Sequence, residues 1–202
     1  GDVHRSHLPD PGRLKELLVS GADLLVRQAP NDSNRKTRYT TVMVNHDGQL
    51  ISLVSSLPNQ FVGLALKNNE LPMLNGYTLI RPEIPVGSHR FDFLLKSPIG
   101  SDFYLEVKSV TCVKNGVAQF PDAVTERGKN HAKALKKLVQ NGYEAGILFV
   151  CQRPDASSFR PMWERDPKLD FAESEESDIV VSGENASRSR LAIDEIDLDF
   201  VD

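Results

Sequence analysis

The stretch from residue 90 to 111, RFDFLLKSPIGSDFYLEVKSVT, constrains this chain most. Alternating apolar runs flank Ser97-Pro98-Ile99-Gly100-Ser101-Asp102, which predicts two β-strands joined by a short turn. Side chains of a strand point to opposite faces with period two, so Phe91, Phe93, Leu105 and Val107 are expected to share a buried face. Asp92, Glu106 and Lys108 then fall together on the other face, within reach of one another across the hairpin. Two readings of that trio stay open from the residues alone. Carboxylate oxygens suit a hard cation such as Mg²⁺, which takes one or two protein carboxylates together with waters and phosphate oxygens. Beside it Lys108 could orient water or offset phosphate charge. A cross-strand ion pair on a solvated sheet face would use the same three residues.

The flanking segments supply the rest of an α/β core. Asn59 is placed to cap a helix over residues 60–67, with Phe61, Leu64 and Ala65 facing inward. Residues 77–86 read as a strand whose later half, with Pro82 and Pro85, is an edge or a bulge; Glu83 there is the one extra carboxylate in a plausible position. Lys114-Asn115-Gly116 marks a further hairpin. The longest helix follows residues 121–122, with Asp122 as N-cap, Val124, Leu135, Leu138 and Val139 buried and Gly142 as its stop. Lys129, Lys133 and Lys136 recur at i, i+4 and i+7 on one face, flanked by His131 and Lys137. Such a stripe is either a solvated face or a phosphate-backbone contact. Residues 145–151 form a buried strand. The order from residue 58 to 152 is therefore helix, three strands, helix, strand.

The N-terminal part reads differently. One helical turn carries Leu14, Leu17 and Leu18, and a short strand covers residues 23–28. A loop groups Arg27, Arg35, Lys36 and Arg38. Two strands, 39–45 and 49–55, meet at His46-Asp47-Gly48, a strong hairpin signal. Several short strands with one small helix suggest a small β-barrel of the oligonucleotide-binding (OB) type or a less specialised β-rich domain. The expected division is an OB-like domain over 1–57, the α/β domain over 58–172 and an acidic segment over 173–202.

Charge sharpens the choice of partner. Of 24 basic and 28 acidic side chains, two and ten lie in residues 173–202, which leaves 22 basic against 18 acidic in residues 1–172. A mildly basic body with an acidic end can bind a polyanion where its positive charges are grouped. No apolar run approaches the about 18 residues that span a bilayer. Cys112 and Cys151 are expected as buried free thiols in a reducing cytoplasm. The five histidines are scattered, which argues against zinc. The first residue is Gly rather than Met, so an N-terminal segment is expected to precede it.

An Asp in the second core strand and Glu-x-Lys in the third resemble the PD-(D/E)xK nuclease superfamily, with its restriction-endonuclease-like fold. The resemblance implies metal binding by Asp92 and Glu106, with Lys108 assisting the nucleophile. A longer series of segments, HLPDPGRLKELL, RKTRY, SLPNQ, GSHRFDFLL, YLEVKSVT, FPDAVTERG and a later QR, resembles the sugar fermentation stimulation protein family and covers most of residues 7–153. That likeness implies a DNA-binding protein connected with sugar (maltose) metabolism. Its implied architecture is an N-terminal OB-type barrel, incomplete here, followed by a restriction-endonuclease-like αβββαβ core. It also implies nucleic-acid contacts by Arg13, Arg35 and Lys36 in the matched N-terminal segments. Arg127 beside Glu126, with Lys129 and Lys133, would steer the phosphate backbone. The expected cofactor is Mg²⁺ or Mn²⁺ and the partner DNA, with RNA as a second polyanion. The function expected is a metal-dependent phosphodiesterase; the alternative is a regulator that binds DNA without cutting it. Family members begin further upstream with strands that should complete the barrel. Residues 173–190 here are polar, acidic and without clear period, so regular structure is not expected there; residues 191–201 could form a last strand.

Overall fold

The computed structural model describes residues 2–10, 12, 14–30, 34–121, 126–162, 179–182, 186–187, 196–197 and 199–200. The chain divides into two compact units, Gly1–Leu57 and Pro58–Asp202.

In the first unit, β1 (Ser6–His7), β2 (Asp23–Gln28), β3 (Tyr39–His46) and β4 (Gln49–Ser52) form one sheet. The long β3 is its spine. Antiparallel β2 pairs along one edge, while the other edge takes β1 at the start of β3 and antiparallel β4 at its end. The β3–β4 turn places Asp47 and Gly48 both at positive φ, 52° and 83°, the conformation that matches the right-handed twist of a two-residue hairpin. Leu14, Leu17, Val44, Ile51 and Leu53 make the core.

The second unit opens with α1 (Leu57–Asn68), continues through β5 (Thr78–Val86), β6 (His89–Lys96), β7 (Asp102–Val110) and the hairpin β8 (Val113–Lys114)–β9 (Val117–Phe120), and reaches α2 (Glu126–Gln140), β10 (Glu144–Cys151), β11 (Ser158–Pro161) and β12 (Ile179–Ser182). Its main sheet has the order β12-β10-β7-β6-β5. β12, β10 and β7 run parallel, and β7, β6 and β5 antiparallel. A smaller sheet joins β8, β9, β11 and the pair Ile196–Asp197. The αβββαβ order expected from the sequence is present.

Both faces of the main sheet are covered. Phe93, Leu95, Leu105, Val107, Leu148 and Val150 pack with Val62, Ala65 and Leu66 of α1. Ile147, Phe149 and Val110 pack with Leu135 and Leu138 of α2 and with Ala118 and Phe159 of the smaller sheet. A sheet covered on both faces has no fully solvated face, so the second face of the 90–111 hairpin, solvated in the ion-pair reading, is largely covered, with Glu106 buried and Asp92 and Lys108 half-buried.

Other expectations change with it. The first helix begins at Leu57, so Asn59 lies inside it rather than capping it. Its inward residues are Val62, Ala65 and Leu66, while Phe61 and Leu64 are 43% and 61% exposed. In α2, Ala132 takes the buried place expected for Val139, which is 45% exposed. The acidic segment contributes β12, paired in parallel with β10 from Ile147↔Ile179 to Val150↔Ser182, because Ile179, Val180 and Val181 supply a β-branched run inside an otherwise polar stretch. The pairs Ala186–Ser187 and Asp199–Phe200 form a short antiparallel ladder. Asp122, Val124 and the side chain of Glu126 lie outside the described residues. Among the described residues, no helix is long and apolar enough to cross a membrane.

Candidate functional site

The site lies where β6 parts from β7. Their ladder runs from Lys96↔Asp102 to Phe93↔Leu105 and stops. One residue further along β6 is Asp92, and its carboxylate replaces the missing backbone partner: Val107 N–H donates to Asp92 Oδ2 at 2.7 Å. The strand changes face at the same point. Phe93 and Leu95 pack on the α1 side, whereas Phe91 packs on the α2 side, although regular alternation would keep all three together. Phe91 is thus not on the face expected from the sequence. On β5, Glu83 sits between the pairs Pro82↔Phe93 and Ile84↔Phe91 and has a φ of 50°. The backbone is thus irregular on both sides of Asp92, where the β6–β7 ladder ends and Glu83 opposite takes a positive φ; the register shift of the β5–β6 ladder lies further along, between Leu79 and Arg81.

Two helices hold the two carboxylates. From α1, Asn59 Nδ2 donates to Asp92 Oδ1 at 2.5 Å. On the opposite sheet face, Glu106 Oε1 lies 2.6 Å from His131 Nδ1 of α2 and 2.5 Å from Lys108 Nζ. Glu106 is only 3% exposed. Its other oxygen, Oε2, is the buried side-chain atom that has no hydrogen-bond partner among the described residues.

The electrostatics separate the two acids. Burial, then the neighbouring Glu106 charge, push the Asp92 carboxyl up to about 6, against the opposing pull of Val107 N–H, Lys108 and Asn59. For Glu106, burial alone would raise the pKa, but the His131 hydrogen bond and the Lys108 charge outweigh it and hold the carboxyl below its ordinary value. One acid is thus firmly ionised, and the other is kept from full ionisation largely by burial and by its neighbour.

These donors fit a hard divalent cation. Two carboxylates are what Mg²⁺ takes from protein when water and phosphate fill the remaining positions. A buried carboxylate oxygen without a donor is costly, and a cation would satisfy Glu106 Oε2. Among the described residues, no group of three or more His, Cys, Asp or Glu side chains is placed to hold a metal ion.

Glu83 pairs with Arg90 at 3.2 Å, both largely exposed. Lys129 is half-buried and Lys133 exposed. With 3.6 residues per turn, positions 129, 133 and 136 lie about half a turn from 131, 135 and 138. The lysine stripe therefore occupies the face of α2 away from Glu106. In the first unit, Arg35 donates to Thr40 Oγ1 at 3.1 Å, and Lys36 is exposed. Arg13 and the side chain of Arg127 lie outside the described residues.

Sequence reasoning missed Asn59 and His131 as partners of the carboxylates. His131 had a signal, since positions 131, 135 and 138 share one helix face and put an ionisable ring on the side that Leu135 and Leu138 bury. Gln152, in the QR segment, donates to Ser109 Oγ at 3.0 Å. Arg153 is buried, bonded to both oxygens of Asp155 and to the Thr111 carbonyl. These two tie the end of β10 to the end of β7.

Comparison with known proteins agrees with this architecture. Residues 56–181 match the family model described as the sugar fermentation stimulation protein RE domain, and residues 1–53 that of the SfsA N-terminal OB domain. A sugar fermentation stimulation protein homolog of Moorella thermoacetica is 44% identical over 167 residues, covering 83% of this chain and 72% of the relative. One of Clostridium botulinum is 39% identical over 191 residues, covering 93% and 83%. The solved structure of Pyrococcus furiosus SfsA in complex with Ca²⁺ superposes with a TM-score of 0.76 at 28% identity, covering 90% of this chain and 78% of that one.

Proposed function

This chain belongs to the sugar fermentation stimulation protein family, and from that premise we propose that it binds DNA and hydrolyses phosphodiester bonds at a divalent-cation site formed by Asp92 and Glu106, with Lys108 beside them. The observation that carries the reading is Glu106 Oε2, a buried carboxylate oxygen without a donor, in a pair of acids whose mutual repulsion helps raise Asp92. A doubly charged cation relieves both costs at once. That a relative's structure is a Ca²⁺ complex supports an oxygen-ligated cation; for catalysis the proposal is Mg²⁺ or Mn²⁺.

The cation, when bound, would polarise a phosphoryl oxygen and make water more acidic. The protein's own groups do the rest. Asp92 and Glu106 hold the site, fixed by Asn59, Val107 N–H and His131. The Lys108 ammonium, a fifth exposed and bonded to Glu106, would offset charge developing on phosphate oxygens. Arg13, Arg35, Lys36, Arg127, Lys129 and Lys133 are the proposed contacts to the backbone of DNA, or of RNA, which presents the same phosphates. Contacts of that kind carry affinity without base readout. Cys112 and Cys151 are half-buried rather than buried as expected, and are not joined in a disulfide, in keeping with a cytoplasmic setting.

A second reading, a DNA-binding regulator of sugar-metabolism genes that does not cut, is favoured by the burial of Glu106 and by the commitment of its Oε1 to two donors. One experiment separates them. Supercoiled plasmid and single strands are incubated with the protein and Mg²⁺, Mn²⁺ or EDTA. Nicking that needs the cation and is lost in Glu106→Gln, while the gel shift survives, supports the nuclease. A shifted but uncut band supports the regulator, and undiminished nicking by the variant rejects the site.

A further inference from the structure

We propose that His131 is a positioning residue for this cation site, donating from Nδ1 to Glu106 Oε1 and so leaving Oε2 as the oxygen presented to the cation. The inference rests on the cation-site reading above and adds the residue that orients its buried ligand.

The geometry sets the direction of the bond. An ionised carboxylate can only accept, so the 2.6 Å contact requires the proton on Nδ1. Lys108 donates to the same oxygen. Glu106 is consequently asymmetric: one oxygen takes two donors and the other none. Had His131 and Lys108 each taken one oxygen, the two oxygens would be equivalent, each with one donor, and neither would be set aside for the cation. The ring itself is held by packing. His89 and Phe91 meet it edge-on, with centroids 5.8 and 6.3 Å away. On α2 it shares a face with the buried Leu135 and Leu138. Docking of α2 on the sheet thus fixes the donor, and the donor fixes the carboxylate. Outer hydrogen bonds of this kind orient a ligand before the ion arrives, and losing one costs about 10–100-fold in affinity.

The test compares His131→Asn, whose amide nitrogen can stand near the place of Nδ1, with His131→Leu, which fits the apolar face but has no donor. Ca²⁺ and Mn²⁺ affinities of the full chain are measured by isothermal titration calorimetry, with unfolding midpoints recorded without cation. The expected result is a loss of about 10–100-fold for Leu with its midpoint kept, and near wild-type affinity for Asn. A residue that merely fills space would give the reverse order, Leu binding normally and Asn losing stability. That order, or equal affinities in all three proteins, overturns the proposal. Should Leu fail to fold, His131→Phe keeps a ring and removes the donor. Cation binding that is absent in the wild type, or unchanged in Asp92→Ala and Glu106→Ala, would instead fault the cation site itself.

Discussion

Asn59 Nδ2 lies 2.5 Å from Asp92 Oδ1, so α1 reaches across 33 positions of sequence to hold a carboxylate of β6. The other carboxylate is held by α2, from the opposite face of the same sheet. The two acids are therefore set by elements that meet only when the sheet is sandwiched, and the site is a product of the complete second unit rather than of the hairpin that carries its acids.

The state of Asp92 predicts a trade between stability and binding. Its pKa rises from 3.8 to about 6 on folding, so between those values the folded chain holds a proton that the unfolded chain has released. Its contribution is fully favourable below about pH 4 and is lost as pH rises through 6. Asp92→Asn removes the charge and can keep both hydrogen bonds: its oxygen accepts from Val107 N–H, and its nitrogen donates to Asn59 after that amide flips. Chemical denaturation at pH 7–8 should show Asn stabilised by about 1–3 kcal/mol, with the advantage fading toward pH 4. Stabilisation by added Mn²⁺ should disappear in the variant.

Glu106 predicts the opposite sign. Held below its ordinary value, it contributes stability that is present above about pH 4.5 and is lost as pH falls through its lowered pKa. Glu106→Gln leaves Lys108 without its charge partner in a site only about a fifth exposed on the lysine side. The expected cost is about 2–4 kcal/mol at pH 7, read by the same denaturation series, together with loss of cation binding. Two isosteric amide substitutions that both abolish the cation and shift stability in opposite directions are hard to obtain from general damage.

Much of this was legible in the sequence, for physical reasons that also mark where legibility stopped. Hairpins at Asp47-Gly48 and Asn115-Gly116 follow from backbone that favours positive φ. Glu106 and Lys108 share a strand face through period two alone. The break at Asp92 was not readable, because alternation predicts one face for Phe91 and Phe93 and only the irregular backbone beside Asp92 reverses it. Phe61 and Leu64 look like core residues by hydropathy, yet the turn of α1 on the sheet selects Val62, Ala65 and Leu66. Asn59 and His131 act on residues 33 and 25 positions away, a separation no local pattern reports.

Glu83 predicts a stability gain without a functional loss. Its φ of 50° is a left-handed conformation that costs a non-glycine residue about 1–2 kcal/mol. Its ion pair with Arg90 is largely exposed and is worth little. Glu83→Gly relieves the strain, partly offset by glycine's greater freedom when unfolded. The unfolding free energy should rise by up to about 1 kcal/mol. Calorimetric Mn²⁺ affinity should stay at the wild-type value; a marked fall would make Glu83 a third ligand.

Lys133 predicts which side of α2 meets a polyanion. It is exposed, on the face turned away from His131 and Glu106, so it cannot act on the cation site directly. If the phosphate backbone runs along that face, Lys133→Gln should weaken DNA binding uniformly across sequences and reduce the slope of log affinity against log salt by about 1. Cation affinity and cutting at saturating DNA should be unchanged, because the acids, Asn59 and His131 are untouched. Binding titrations at several salt concentrations decide it. An unchanged slope moves the contact surface off this face of α2 and toward Arg35 and Lys36, and the paired variant Arg35→Gln/Lys36→Gln, measured the same way, then carries the test to the first unit.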